Sequence, residues 1–268
     1  MNLLAHYHLA GRGRPGHRLG AVLPDLLGMF SRKARPRQFM AFHQERLDQG
    51  DATPTIYSEV LAGMAHHHAV DVVFHHHPVF TETQAAIQQT LVETSQAPGL
   101  KRFLPAHVLC ELYLDHLLVH DHPTLPERFL ADLSAGQQDV TEMAMQALPP
   151  CRNGFADFLR RVIRDRFVED YQHLDGLFPR LQRILVRCRQ RMLTADEITA
   201  LKGCLTREKP AIQAALNAFM ATAPQAEDFF PLSETAQTHE NGHKDPHADM
   251  DAPQTAGTET RLAAKGTP

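Results

Sequence analysis

The chain has 268 residues, 43% of them hydrophobic, and a formal net charge of −4. That is enough apolar material for a sizeable core, and the negative balance argues against general nucleic-acid binding. No apolar run approaches the ~20 residues of a membrane span, the start MNLLAHYHLA lacks a basic leader, and four scattered cysteines without CxxC spacing fit reduced thiols, so a cytoplasmic protein with no membrane contact is expected.

Strand signals are scarce and helical ones frequent, so the expected class is all-α. Residues 2–10 are apolar at helical spacing. Residues 19–30, LGAVLPDLLGMF, carry Leu19, Val22, Leu23, Leu26, Leu27 and Phe30 in an i, i+3, i+4 pattern. RKARPR at 32–37 reads as a basic loop or helix end, punctuated by Pro36. A long helix is expected over 55–76, stopping before Pro78. Thr81 with Gln84 suggests a capping box opening a helix over 82–95, ended by Pro98 and Gly99. The next helix spans 102–120. Thr124 with Glu127 suggests a second box, for a helix to about 133. Helical signals continue through 137–148 and 153–192, with a break expected near Gly176 and Pro179. Thr194 with Glu197 starts a final helix, which Pro210 should interrupt. Beyond 223 the chain is polar and acidic, poor in the apolar residues that offset chain entropy, and is expected to be disordered. The expected organisation is a main domain over 1–192, a helical extension over 193–222 and a tail over 223–268.

Histidine is the outlier: the chain has 18, about three times the usual share. In GMAHHHAVDVVFHHHP, residues 63–78, His67, Asp71 and His75 stand four apart, a ladder along one helix face, and His68 joins His75 at i+7. Such a pair places an imidazole nitrogen and a carboxylate oxygen on one divalent cation, and mixed N/O ligation suits manganese, iron or zinc. A polar surface stripe has the same spacing. The apolar neighbours Val70, Val72, Val73 and Phe74 favour burial, where an unpaired Asp is costly. A second ladder, His107, Glu111 and Asp115, runs beside His116 and His120 among leucines. Two apolar helices each carrying internal His and acid groups suggest a shared site. Asp25 sits among apolar and small residues and should have a partner, unless Pro24 marks a helix start whose dipole stabilises it. His6 and His8 lie within the apolar first segment, where a hydrogen-bonded core histidine is the ordinary alternative.

NLLAHYHLA, LGAVLPDLLG, GMAHHHAVDVVFHHHPVF and LYLDHLLVH occur in the order seen in acyl carrier protein phosphodiesterases, whose pattern resembles NFLAHxxLA, GNxxxDFxxG, GxxxHRxIDxFTDxHP and DHFLxxHW. The match carries Asn2, Ala5, His6, Leu9, Ala10, Gly20, Asp25, Gly28, Gly63, His67, Asp71, His77, Pro78, Asp115, His116 and Leu118, and covers roughly 1–190. The resemblance implies an HD-like helical fold and release of 4′-phosphopantetheine from holo-acyl carrier protein, with the carrier as partner. It implies a divalent metal, manganese first and iron(II) or zinc as the others, with Asp25, His67, Asp71 and Asp115 as ligands and His6 and His116 as ligands or acid/base groups; His6 is taken here with the ligands. This chain departs from the pattern in having His68 for the Arg, His75 for the Asp before xHP, and no tryptophan. On that reading His68, His75 and the 32–37 loop oppose phosphoryl charge, and His116 protonates the leaving serine oxygen. Arg32, Lys33, Arg35 and Arg37 form a rim that attracts an acidic carrier. Two alternatives remain open: an HD-like phosphohydrolase of a nucleotide or other small phosphoester, and a degenerate, non-catalytic helical binding protein.

Overall fold

In the computed structural model the described residues are 3–11, 13–50, 55–95 and 100–229, all within one compact unit spanning Met1–Leu232. Their regular structure is entirely helical: α1 (Leu3–Leu9), α2 (Pro15–Phe30), α3 (Pro36–Asp48), α4 (Thr55–His76), α5 (Pro78–Thr94), α6 (Phe103–Asp121), α7 (Leu125–Ala147), α8 (Phe155–Asp165), α9 (Leu174–Arg187) and α10 (Ala195–Thr222), with short 3₁₀ turns between and after them. The all-α class is as expected. No helix among the described residues is long and apolar enough to cross a membrane.

The most extensive helix pair is α2 with α4, and glycine makes it possible. A Cβ on Gly63 would stand 2.0 Å from the His17 carbonyl oxygen, and one on Gly20 would stand 2.1 Å from that of Val60. The two backbones therefore pack directly on each other, closer than any other residue permits. Pro24 lies inside α2 rather than at its start; lacking an N–H, it leaves the Gly20 carbonyl without its helical donor at this same contact. The other interior helix is α6, buried from Pro105 to Val119 at nearly every position. α6 and the first half of α4 are enclosed by neighbours, which forces polar groups such as Glu59, His66, His67 and Asp115 inside, whereas the last turns of α4 are exposed at Val72, Val73 and His76.

Several boundaries differ from the sequence expectation. The basic stretch expected as loop or helix end at 32–37 runs into α3 at Pro36, and the rest of that helix carried no expectation: its weakly striped sequence buries only Phe39 and His43. α5 begins at Pro78, where His77 caps it by accepting from the Val79 amide, so Thr81 lies within the helix and forms no box. Pro98 and Gly99 fall outside the described residues. Thr124 precedes α7 but makes no side-chain cap, and α7 runs unbroken to Ala147, with Gly136 facing the Leu19 side chain. The expected break at Gly176 and Pro179 falls instead at Arg166, in the left-handed region with φ 47°, and in the turn over Phe167–Gln172. The Thr194–Glu197 box forms as expected. Pro210 does not interrupt α10, which packs on α5. The expected tail starts too early: Ala223 and Ala226 are buried, and the turn at Ala226–Phe229 rests on α4. Residues 230–268 lie outside the described residues.

Candidate metal centre

Three helices bring His6 (α1), Asp25 (α2) and His67 (α4) together, with one potential ligand atom of each lying within 4.8 Å of the others. The His6 and His67 rings stack with centroids 3.8 Å apart. His67 Nδ1 lies 2.9 Å from the Ala21 carbonyl oxygen. A carbonyl only accepts, so Nδ1 carries the proton and Nε2 keeps its lone pair, the tautomer a metal ligand needs. That hydrogen bond depends on the α2–α4 contact made by Gly20 and Gly63.

Three of the potential ligand atoms here are unsatisfied. Both ring nitrogens of His6 and Oδ2 of Asp25 are buried without a hydrogen bond, which in a close-packed interior carries a cost of ~1–3 kcal/mol each. Burial pushes the His6 imidazole down to about 4 and His67 well below its ordinary value. Burial also raises Asp25 well above the usual carboxylate range, with the Asp71, Glu111 and Asp115 charges adding to the effect. Two neutral imidazoles and a carboxylate with orphaned lone pairs, facing one small space, suit a divalent cation: its charge would hold Asp25 ionised and occupy the lone pairs.

Asp71 stands beside this group. Its Oδ1 is 3.7 Å from His6 Nε2 and 3.5 Å from His75 Nδ1, and its side chain is 34% exposed. It therefore links the buried triad to solvent. The apolar neighbours invoked for burial behave differently: Val70 and Phe74 are buried, but Val72 and Val73 are exposed. His75 donates from Nδ1 to the Asp71 carbonyl at 3.0 Å, while its Nε2 lies 3.5 Å from Glu111 Oε1. His107 Nε2 approaches the same oxygen at 3.3 Å. His75, His107 and Glu111 make the second group of this kind among the described residues. The ladder on α6 pointed to His107 and Glu111, but only the facing of α4 and α6 separates them from their neighbours.

Two expected residues do other work. Asp115 is fully buried, and its two oxygens accept from the backbone amides of Leu4 (3.1 Å) and Ala5 (2.9 Å). It caps the first turn of α1, the helix that carries His6, and is not part of the close group; burial pushes its carboxyl up to about 7 against those two amides. His116, one residue on, points elsewhere, because successive helix positions diverge by about 100°. Its Nδ1 donates to the Tyr171 carbonyl at 2.7 Å. Burial lowers its basicity, and the nearby charges that act on it are those of Lys209, His120 and His173. His116 is not among the residues that converge with His6, Asp25 and His67. His68 sits beside His67 with ring centroids 5.5 Å apart; its Nε2 is buried without a hydrogen bond. Burial lowers its pKa, Asp71 opposes that, and Arg37 adds to it, which puts Arg37 within electrostatic reach. Arg32, Lys33, Arg35 and Arg37 are all exposed, in the α2–α3 connection and the first turn of α3.

No curated protein and no solved structure matches the chain. The family described as acyl carrier protein phosphodiesterase matches residues 1–223, a span that contains every residue of both groups and ends one residue past α10. The chain belongs to the acyl carrier protein phosphodiesterase family.

Proposed function

We propose that this protein hydrolyses the phosphodiester between a carrier-protein serine and 4′-phosphopantetheine, using a divalent cation held by His6, Asp25 and His67 with Asp71 alongside. The observation that carries the reading is the convergence of those three side chains from separate helices, with orphaned donor atoms of His6 and Asp25 buried where they meet. Mixed imidazole and carboxylate ligation suits manganese, with iron(II) and zinc as the other choices. Such an ion supplies an activated water near neutral pH and polarises a phosphoryl oxygen.

The chain's own residues do the rest. The Ala21 carbonyl holds His67 in one tautomer and orientation. The Asp71 backbone carbonyl does the same for His75, whose Nδ1 then stands 3.5 Å from Asp71 Oδ1. We assign proton transfer to the leaving serine oxygen to His68, next to His67, where the Asp71 charge opposes the loss of basicity that burial imposes. Arg37, with Arg32, Lys33 and Arg35, supplies the positive rim toward which an acidic helical carrier is drawn, an attraction that weakens with salt.

The test uses holo-acyl carrier protein and manganese. Release of phosphopantetheine by the wild type, with loss of at least 10²-fold and of bound metal in Asp25→Asn, supports the reading. Turnover of small phosphodiesters with no release from holo-carrier would reject the carrier as substrate, and full activity in Asp25→Asn would reject the ligand set. Full-length protein carries His239, His243 and His247 beyond the described residues, so metal content is compared in a background with these three changed to Ala.

A further inference from the structure

We infer that His75, His107 and Glu111 form a second divalent-cation site of zinc type, beside the first and joined to it through Asp71. The proposal rests on the metal-dependent reading above and extends it from one cation to two. Three distances carry it. Glu111 Oε1 lies 3.5 Å from His75 Nε2 and 3.3 Å from His107 Nε2, and one ligand atom from each of the three residues lies within 4.8 Å of the others. The two rings stack with centroids 5.2 Å apart and planes 15° from parallel, so their edges face the carboxylate side by side.

Tautomer chemistry leaves one atom of this arrangement, His75 Nε2, without a partner. His75 Nδ1 donates to the Asp71 carbonyl. In the neutral ring, Nε2 then holds a lone pair, and that lone pair faces a carboxylate oxygen which also has only lone pairs to offer. Nε2 is buried and makes no hydrogen bond. A fully protonated ring would remove the repulsion, but an imidazolium N–H closes on a carboxylate to about 2.7–2.9 Å, well short of the 3.5 Å found. A cation between the atoms gives the observed spacing directly. Two ligands at ~2.1 Å from a tetrahedral centre stand about 3.4 Å apart, while an octahedral centre with similar bonds brings adjacent ligands to about 3.0 Å. The spacings of 3.3 and 3.5 Å fit the tetrahedral case. Two imidazoles and one carboxylate are also a ligand set that zinc uses with a fourth position left for water or a substrate oxygen.

The link to the first group is Asp71, whose Oδ1 lies 3.7 Å from His6 Nε2 and 3.5 Å from His75 Nδ1. Asp71 and His75 are one helical turn apart on α4, and His107 and Glu111 one turn apart on α6, so each helix contributes consecutive rungs to the same seam.

The experiment is Zn²⁺ titration of metal-free, full-length protein by equilibrium dialysis and elemental analysis, with the three tail histidines changed to Ala throughout. The expected result is two Zn²⁺ per chain in the wild type, one in His107→Ala, one in Glu111→Gln and one in Asp25→Asn. Co²⁺ added in place of Zn²⁺ should give the intense visible bands of a four-coordinate centre, and Glu111→Gln should remove those of the second site. One Zn²⁺ in the wild type that survives Glu111→Gln and disappears in Asp25→Asn overturns the second site and leaves the first standing. A single Zn²⁺ lost with Glu111→Gln but kept in Asp25→Asn supports the site proposed here and removes the first. No bound Zn²⁺ in the wild type overturns both. Glu111→Gln keeps the side-chain volume, so it reads the same quantity if His107→Ala does not fold.

Discussion

Removing the Asp115 side chain separates its structural role from a ligand role. Its two oxygens accept the amides of Leu4 and Ala5, and the residue is fully buried. In Asp115→Ala both amides lose their acceptors inside the core. Hydrogen bonds to a charged acceptor contribute ~1.5–3 kcal/mol each, so the gross loss is roughly 3–6 kcal/mol. Part of this is offset, because burial already opposes the charge and holds the carboxyl near 7. A net loss of about 3 kcal/mol is expected at pH 7. A domain of this size shifts by ~2–4 °C per kcal/mol, so the melting temperature should fall by roughly 10 °C. Asp115→Asn keeps one acceptor and turns an amino group toward the second amide, so it should fall between. The assay is urea and thermal unfolding of chelator-treated protein, with no metal present. A metal-free Asp115→Ala variant within about 1 kcal/mol of wild type that nevertheless fails to bind metal would refute the capping account and restore Asp115 as a ligand.

Other predictions follow from the same packing. Gly63→Ala places a Cβ 2.0 Å from the His17 carbonyl oxygen, so α2 and α4 must separate at a cost of about 3 kcal/mol. Metal content should fall with it, because the Ala21–His67 bond crosses that contact; an unchanged urea midpoint would contradict this. Gly203→Ala, on the exposed side of α10 with nothing within 4 Å, should instead stabilise by ~0.5–1 kcal/mol. His17 is fully buried, and its Nε2 lies 3.1 Å from His66 Nδ1. His66 Nε2 donates to the Pro224 carbonyl, so its Nδ1 accepts and His17 Nε2 donates. Burial, helped by His66 and Arg18, lowers His17 from 6.5 to about 4. The unfolded chain binds the proton more readily, so this contribution is complete above pH 6.5 and is lost as pH falls toward 4, up to about 3 kcal/mol. Urea midpoints for wild type and His17→Gln should converge over that window; parallel curves would rule the assignment out.

The helical class, the long apolar helices at 55–76 and 102–120 and the box at Thr194 were legible in the sequence because each depends on local spacing. The His67–Asp71–His75 and His107–Glu111 ladders were legible for the same reason: residues four apart share a helix face whatever that face meets. The Thr81 and Thr124 boxes misled because the same short pattern arises inside a helix or beside an uncapped start. The register between helices was not legible. Asp115 continues the His107–Glu111 spacing, yet it meets the amides at the start of α1 rather than the cluster. His116 adjoins it in sequence and faces Tyr171.

Sequence by itself determined which residues could act together along one helix, since a 3.6-residue period is a property of the backbone. Tertiary structure alone decided that His6, Asp25 and His67 meet and that His75 crosses to Glu111. Those meetings depend on how closely two backbones approach, and at Gly20 and Gly63 that approach is set by contacts between segments 40 or more residues apart.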